Sequence, residues 1–244
     1  MGKIIWPGGA KAAITLLYED GLTTQLEKAI PQLNESGLRG TFFPSGDGLK
    51  DPSNAVLWSA AVTAGHEIGA HTINHPCDRA HDFVREGFSL QDYTEERLRD
   101  EIRENLEIIK KFGVPAGRPV FAYPCGESVY GEGLKKSYVP IIKEIFLAAK
   151  GVNGIIADPE KVDLYDVPCF GITCGTQGMI DIAERAVQCG GWALFLFHGV
   201  GGDYISVEAD AHREFLRYLA AEKGNLLVAP FGEISTVIEN SRAK

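Results

Sequence analysis

Several features are missing from these 244 residues, and each absence removes a class of function. Basic excess is missing: 24 Lys+Arg against 33 Asp+Glu leaves a net charge of -9. Such a chain offers no basic footprint for a nucleic-acid backbone or for an anionic membrane surface. No apolar run approaches the ~20 residues that cross a bilayer as a helix. Among the five cysteines, Cys77, Cys125, Cys169, Cys174 and Cys189, no pair is spaced C-x-x-C, so a zinc knuckle has no support. The odd count reads most simply as free thiols in a reducing compartment. Met1 to Gly9 is polar, carries Pro and Gly and has no signal-peptide core. That points to the cytoplasm, although a secreted chain trimmed of its leader would look the same.

Internal repeats, low-complexity tracts and long linkers are absent too. What is present is an alternation of short apolar runs with helical patterns. Strands are expected at Ala12–Tyr18, Gly40–Phe43, Glu67–Thr72, Pro119–Tyr123, Gly154–Ala157, Val167–Ile172, Trp192–Phe197 and Leu226–Ala229. Helices are expected at Thr24–Glu35, Asn54–Ala64, Thr94–Phe112, Tyr138–Lys150, Met179–Gln188, Ser206–Glu222 and Glu233–Asn240. In Thr94–Phe112 the residues Leu98, Ile102, Leu106 and Ile109 form an apolar stripe with charges elsewhere. Roughly eight βα units in one run imply a mainly parallel sheet. With 45% hydrophobic residues the chain can bury a sizeable core, and its length suits one (β/α) barrel spanning residues 1–244. An open doubly wound sheet is the rival, but its Gly-rich nucleotide signature is missing after the first strand, where Glu19-Asp20-Gly21 stands instead.

Parallel α/β folds place their sites at the C-terminal ends of strands. The first strand ends in two adjacent carboxylates before a glycine, which lets the chain turn so that both face one cavity. The third ends in His71-Thr72-Ile73-Asn74-His75, whose two histidines can face the same way. His66 lies at the opposite end of that strand and is set aside. The fourth ends in Tyr123-Pro124-Cys125-Gly126-Glu127. Trp192–Phe197 is followed by His198 and three glycines in four residues, a pattern that permits close approach to a ligand. One Asp and two His make a plausible triad for a divalent metal with an open position. A second carboxylate can take a proton from water, and a histidine opposite can protonate a leaving group.

The motifs Leu17-Tyr18-Glu19-Asp20-Gly21, His71-Thr72-Ile73-Asn74-His75, Ala122-Tyr123-Pro124-Cys125-Gly126 and Leu196-Phe197-His198 resemble those of the polysaccharide deacetylase family, also called the NodB-homology or carbohydrate esterase family 4 domain. The resemblance runs from about Ala12 to Ile238. It implies a distorted, TIM-like (β/α) barrel of seven to eight strands and a divalent transition metal, zinc first, held by Asp20, His71 and His75. It implies Glu19 as general base, His198 as general acid, Leu196 lining the acetyl pocket, and Tyr123, Pro124 and Cys125 as substrate-binding positions. The reaction would be hydrolysis of N- or O-acetyl groups on a saccharide. The alternatives are hydrolysis of a small or cyclic amide and a carbohydrate-binding relative that has lost turnover. The acidic balance suits a neutral glycan better than an anionic one.

Three positions depart from the family pattern. Glu19 stands for an Asp, Ala122 for the Arg that holds the base, and Leu17 for a Thr. Arg118 or Arg79 is a candidate for the missing cation. Cys77 and Cys125 both follow site motifs, so they can be neighbours at the barrel mouth, either as buried thiols or, in an oxidising compartment, as a disulfide. Phe83 and Phe88 could line a sugar cleft or cap the barrel.

Overall fold

In the computed structural model, which describes residues 4–243, ten strands and eight helices alternate. Met1–Lys3, the start of the polar segment noted above, and Lys244 lie outside the described residues. The strands are β1 (Ala12–Asp20), β2 (Thr41–Pro44), β3 (Glu67–Ile68), β4 (Val120–Ala122), β5 (Val129–Tyr130), β6 (Lys136–Ser137), β7 (Ala148–Lys150), β8 (Phe170–Gly171), β9 (Trp192–Phe197) and β10 (Leu226–Val228). The helices are α1 (Ile30–Glu35), α2 (Gly46–Lys50), α3 (Pro52–Thr63), α4 (Glu95–Lys110), α5 (Val139–Ile145), α6 (Thr176–Cys189), α7 (Ala209–Ala221) and α8 (Phe231–Arg242). Among the described residues, no helix is long and apolar enough to cross a membrane.

β1 is buried along its length except at Asp20, as a central strand covered on both faces should be. It pairs in parallel with β2, β9 and β10; β3 follows β2, and β8 follows β9. β4 and β7 form a second parallel pair. Isolated parallel bridges, Ala70 to Phe121 and Lys150 to Val167, carry the ring from β3 to β4 and from β7 toward β8. Among the described residues no continuous ladder closes the ring, so the (β/α) barrel is a distorted one.

Strand parity decides what faces inward. Ile14, Leu16 and Tyr18 pack outward with helix residues such as Leu33, Met179 and Phe215. Ala13 and Leu17 pack inward with Val120, Ala122, Ala148, Trp192, Leu194 and Leu196. The period of two carries the inner face from Leu17 to Glu19, from Ala148 to Lys150 and from Leu196 to His198. Those three polar residues therefore cap the inner layer of the barrel.

Most expected elements are present with shifted ends: some are shorter, whereas β1, α6 and α8 run longer than expected. Helix α4 runs Glu95–Lys110, with the Thr94 side chain accepting from the Arg97 N–H as its N-cap. One expectation is wrong in kind: Tyr138–Lys150 is not one helix. α5 stops at Ile145 and Phe146 is extended. The run Phe146–Lys150 is buried on every side, which leaves no solvent face for a helix, and the parallel pairing with β4 supplies backbone partners instead. Gly154–Ala157 forms no strand, only an Ala157–Trp192 bridge, and Val167–Ile172 keeps two strand residues. The last long helix starts at Ala209 because Val207 is engaged in a bridge with Val200.

Candidate active site

The mouth of the barrel holds a cavity of about 850 Å³. Glu19, Asp20, His75, Lys150, Leu196 and His198 line its floor and walls. Strand parity alone would send Asp20 outward, but its φ of 74° turns it back over the mouth. Gly21 follows at φ 70°, where a Cβ would lie 2.8 Å from Cβ of Pro44. Only glycine completes this turn without displacing β2.

Asp20, His71 and His75 converge. Oδ1 of Asp20 lies 3.4 Å from Nε2 of His71 and 3.3 Å from Nε2 of His75. Thr72 and His75 adopt left-handed φ values of 59° and 50°, and α4 braces this tight loop. Glu101 accepts from the N–H groups of Ile73 and Asn74, from Nδ2 of Asn74 and from the Tyr93 hydroxyl. Asn105 donates to the Thr72 carbonyl at 2.7 Å. Both side chains are buried on the apolar stripe of α4. A carboxylate and an amide on that stripe, where the sequence reading set only apolar residues, mark this brace.

Nδ1 of His71 lies 2.8 Å from the Ala122 carbonyl, so it carries the proton and leaves a lone pair on Nε2. That Nε2 is buried and has no hydrogen-bond partner among the described residues. An orphaned nitrogen beside a second imidazole and a carboxylate is a donor set that fits a divalent transition ion. Burial pulls His71 down, but the carboxylates of Glu19 and Asp20 leave it raised overall. Burial pushes Asp20 up, yet the His71 contact and the surrounding imidazoles hold it well below the usual carboxylate range. His75 is lowered to about 4, chiefly by burial. It is therefore neutral near pH 7, as a ligand must be.

Oε2 of Glu19 lies 3.7 Å from Nε2 of His198. Gln25, on the π-helical stretch Gln25–Ala29 that leads into α1, donates Nε2 to both backbone carbonyls, Glu19 at 2.5 Å and His198 at 3.0 Å. It thereby fixes the ends of β1 and β9 against each other. His198 is lowered, chiefly by burial. The loop after it folds on itself: a Cβ at Gly199 would run into the Gly202 carbonyl. This internal packing, and not the approach of a ligand, accounts for that glycine.

The cation beside Glu19 is Lys150. Its Nζ pairs with Oε1, and neither side chain has meaningful exposure. Arg118 and Arg79 do not take this role, because they pair with Glu239 and Asp92. Lys150 escaped sequence reasoning because it was read as the end of a helix. Tyr204 was also missed; its hydroxyl donates to Oδ2 of Asp20 at 2.7 Å.

Of the other expected contacts, Leu196 and Cys125 line the cavity. The Tyr123 side chain turns away, packing on Phe121 and Tyr138 and donating to the Tyr165 carbonyl at 3.1 Å. Pro124 is buried beneath the same turn and stands apart from the cavity lining. Cys77 and Cys125 form a disulfide, which corrects the free-thiol reading for these two; Cys169, Cys174 and Cys189 are free. Phe83 is exposed on the cavity rim, whereas Phe88 lies under the guanidinium groups of Arg85 and Arg97.

The family model described as polysaccharide deacetylase matches residues 8–137. No curated protein matches the chain in sequence. Several solved structures share the fold at low identity, three of which follow. The CE4 domain of a multidomain xylanase from the hindgut metagenome of Trinervitermes trinervoides has a TM-score of 0.57 and 13% identity, covering 95% of this chain and 91% of that one. A family 4 carbohydrate esterase from Streptomyces lividans, solved with acetate, has a TM-score of 0.59 and 17% identity, covering 90% and 93%. A CE4 family pseudoenzyme from Bacillus anthracis has a TM-score of 0.55 and 15% identity, covering 93% and 66%.

Proposed function

The chain belongs to the polysaccharide deacetylase family, and from that premise we propose that it is a metal-dependent hydrolase that removes acetyl groups from a saccharide. The observation that carries this reading is the convergence of Glu19, Asp20, His71, His75 and His198, from the ends of three strands, on one cavity.

Asp20, His71 and His75 would hold the ion, with zinc as the expected metal. Bound there, it would polarise the acetyl carbonyl and make water more acidic. Glu19, through Oε2, takes a proton from the attacking water. The water oxygen bonds to the acetyl carbon, and the carbon–nitrogen or carbon–oxygen bond to the sugar breaks. His198 delivers a proton to the departing amine or alcohol. Burial favours neutral His198 at rest, so its proton comes from the attack step; Nε2 lies 3.7 Å from Oε2 of Glu19, so the two side chains must close on each other for the handover. Leu196 offers an apolar wall for the acetyl methyl. Phe83 and Tyr204 on the rim offer ring faces to a sugar.

A carbohydrate-binding relative without turnover is the second reading, because Glu19 stands where the family pattern has Asp. Acetate release from acetylated xylan and chitin oligomers, measured on zinc-loaded and chelator-stripped protein, separates the two. Release that depends on metal supports the hydrolase. Oligomer binding without release supports the second reading. Turnover of small cyclic amides alone would replace the saccharide with that substrate class.

A further inference from the structure

Lys150 is a fully buried lysine at the C-terminal end of β7. Burying an ammonium group is costly unless it is paired, and the carboxylate it meets is Glu19. The nearby Cys169 thiol is held neutral by burial, which raises it to about 11, so it does not compete as a counter-charge. The register of the β4–β7 pair sets Lys150 directly beside Ala122. Ala122 packs in the inner cluster, and Lys150 meets the inward-facing Glu19. Glu19 thus presents two unlike oxygens: Oε1 engaged by the ammonium group, and Oε2 on the side of His198. A glutamate next to Asp20 in sequence has the reach to become a fourth protein ligand of any ion held by the triad.

We propose that Lys150 is the positioning residue of this site: by engaging Oε1 of Glu19 it keeps that carboxylate beside the Asp20–His71–His75 donor set and out of it, with Oε2 turned to His198. The long acid on β1 and the cation on β7 are then one matched arrangement, with each correct only in the presence of the other. The inference rests on the proposed function for the role of Glu19 as base. The position of the carboxylate has a readout that needs no turnover.

That readout is Co²⁺ binding to the whole chain, followed by visible absorption and by competition with a chelator. In Lys150→Met the released carboxylate joins the ion as an added oxygen ligand, so binding tightens by about tenfold and the spectrum changes. Lys150→Arg, and the double variant Glu19→Gln/Lys150→Met, keep the wild-type spectrum. Lys150→Gln retains a donor without the charge and stands in if the methionine variant does not fold; the same change is expected of it. A spectrum and affinity unchanged on loss of the charge overturn the inference. In turnover, kcat of Lys150→Met falls on the order of 100-fold with KM within about threefold, and Lys150→Arg recovers most of the loss. A wild-type chain that binds Co²⁺ with these spectral differences yet releases no acetate sinks the deacetylase reading and leaves this inference standing.

Discussion

Tyr204 donates its hydroxyl to Oδ2 of Asp20 while Oδ1 of the same carboxylate faces His71 and His75. The tyrosine sits between two left-handed residues, Asp203 at φ 60° and Ile205 at φ 46°. For a β-branched residue that conformation is costly, so the loop spends stability to bring the phenol over the site. The hydrogen bond assigns one carboxylate oxygen to the loop and frees the other for an ion. Tyr204→Phe should weaken zinc binding by about tenfold and lower acetate release less severely, as losses at groups that orient a ligand do. Competition titration against a chelator checks this. Unchanged affinity would make Tyr204 a rim residue only.

Glu19→Asp asks whether the glutamate is adapted or impaired. Shortening the arm by one methylene withdraws the carboxylate from Lys150, whose own position is fixed by the β4–β7 pairing. A displacement of about 1 Å at a base costs on the order of 10- to 100-fold. The expected result is therefore a drop in kcat for acetate release. A rise would show that Glu19 is a damaged base and that the Lys150 contact does not compensate for it.

The inward row Glu19, Lys150, His198 shows how far the sequence could be read. Glu19 and His198 were legible because β1 and β9 are long apolar runs whose C-terminal ends are unmistakable. Lys150 ends a three-residue strand that follows a seven-residue helix without a glycine or proline between them. Periodicity over so short a run cannot separate strand from helix, and pairing with β4 decides it. The His71–His75 motif was visible, but the left-handed turns that aim both rings at Asp20 depend on Glu101 and Asn105 in α4, a contact between segments distant in sequence. Tyr204 lay outside any strand, in a loop whose glycines serve packing within the loop, at Gly199, and against Ala209 and Thr24, at Gly201 and Gly202.

The Cys77–Cys125 disulfide ties the loop carrying His75 to the turn after β4. It spans 48 residues, and closing a loop of that length constrains the unfolded chain by about 4 kcal/mol. Cys77→Ser/Cys125→Ser should lower the unfolding free energy by roughly 2–4 kcal/mol in denaturant titration. Because Cys77 lies two residues from His75, zinc affinity should fall as well. Treating the wild type with a thiol reductant should reproduce both effects, and a reductant-insensitive zinc affinity would separate the disulfide from the site.

His212 provides a test of the barrel wall by pH. It is fully buried on α7, with Nδ1 2.7 Å from Oε1 of Gln32 and Nε2 2.8 Å from the Tyr18 hydroxyl. Gln32 accepts, so Nδ1 carries the proton and Nε2 receives the Tyr18 hydroxyl. Burial, with a smaller contribution from Arg213, lowers this histidine to about 3. The unfolded chain, with an ordinary value near 6.5, binds the proton first. The contribution to stability is therefore complete above about pH 6.5 and is lost as the pH falls toward 3, at up to about 1.4 kcal/mol per pH unit. His66, lowered to about 4 by burial and then by Arg39, acts in the same direction. Between pH 6.5 and pH 5 the unfolding free energy of the wild type should fall with a slope that His212→Gln reduces by about one proton. Equal slopes for the two proteins would mean that His212 is already protonated in the fold, with the Gln32 and Tyr18 contacts rearranged around a charged ring.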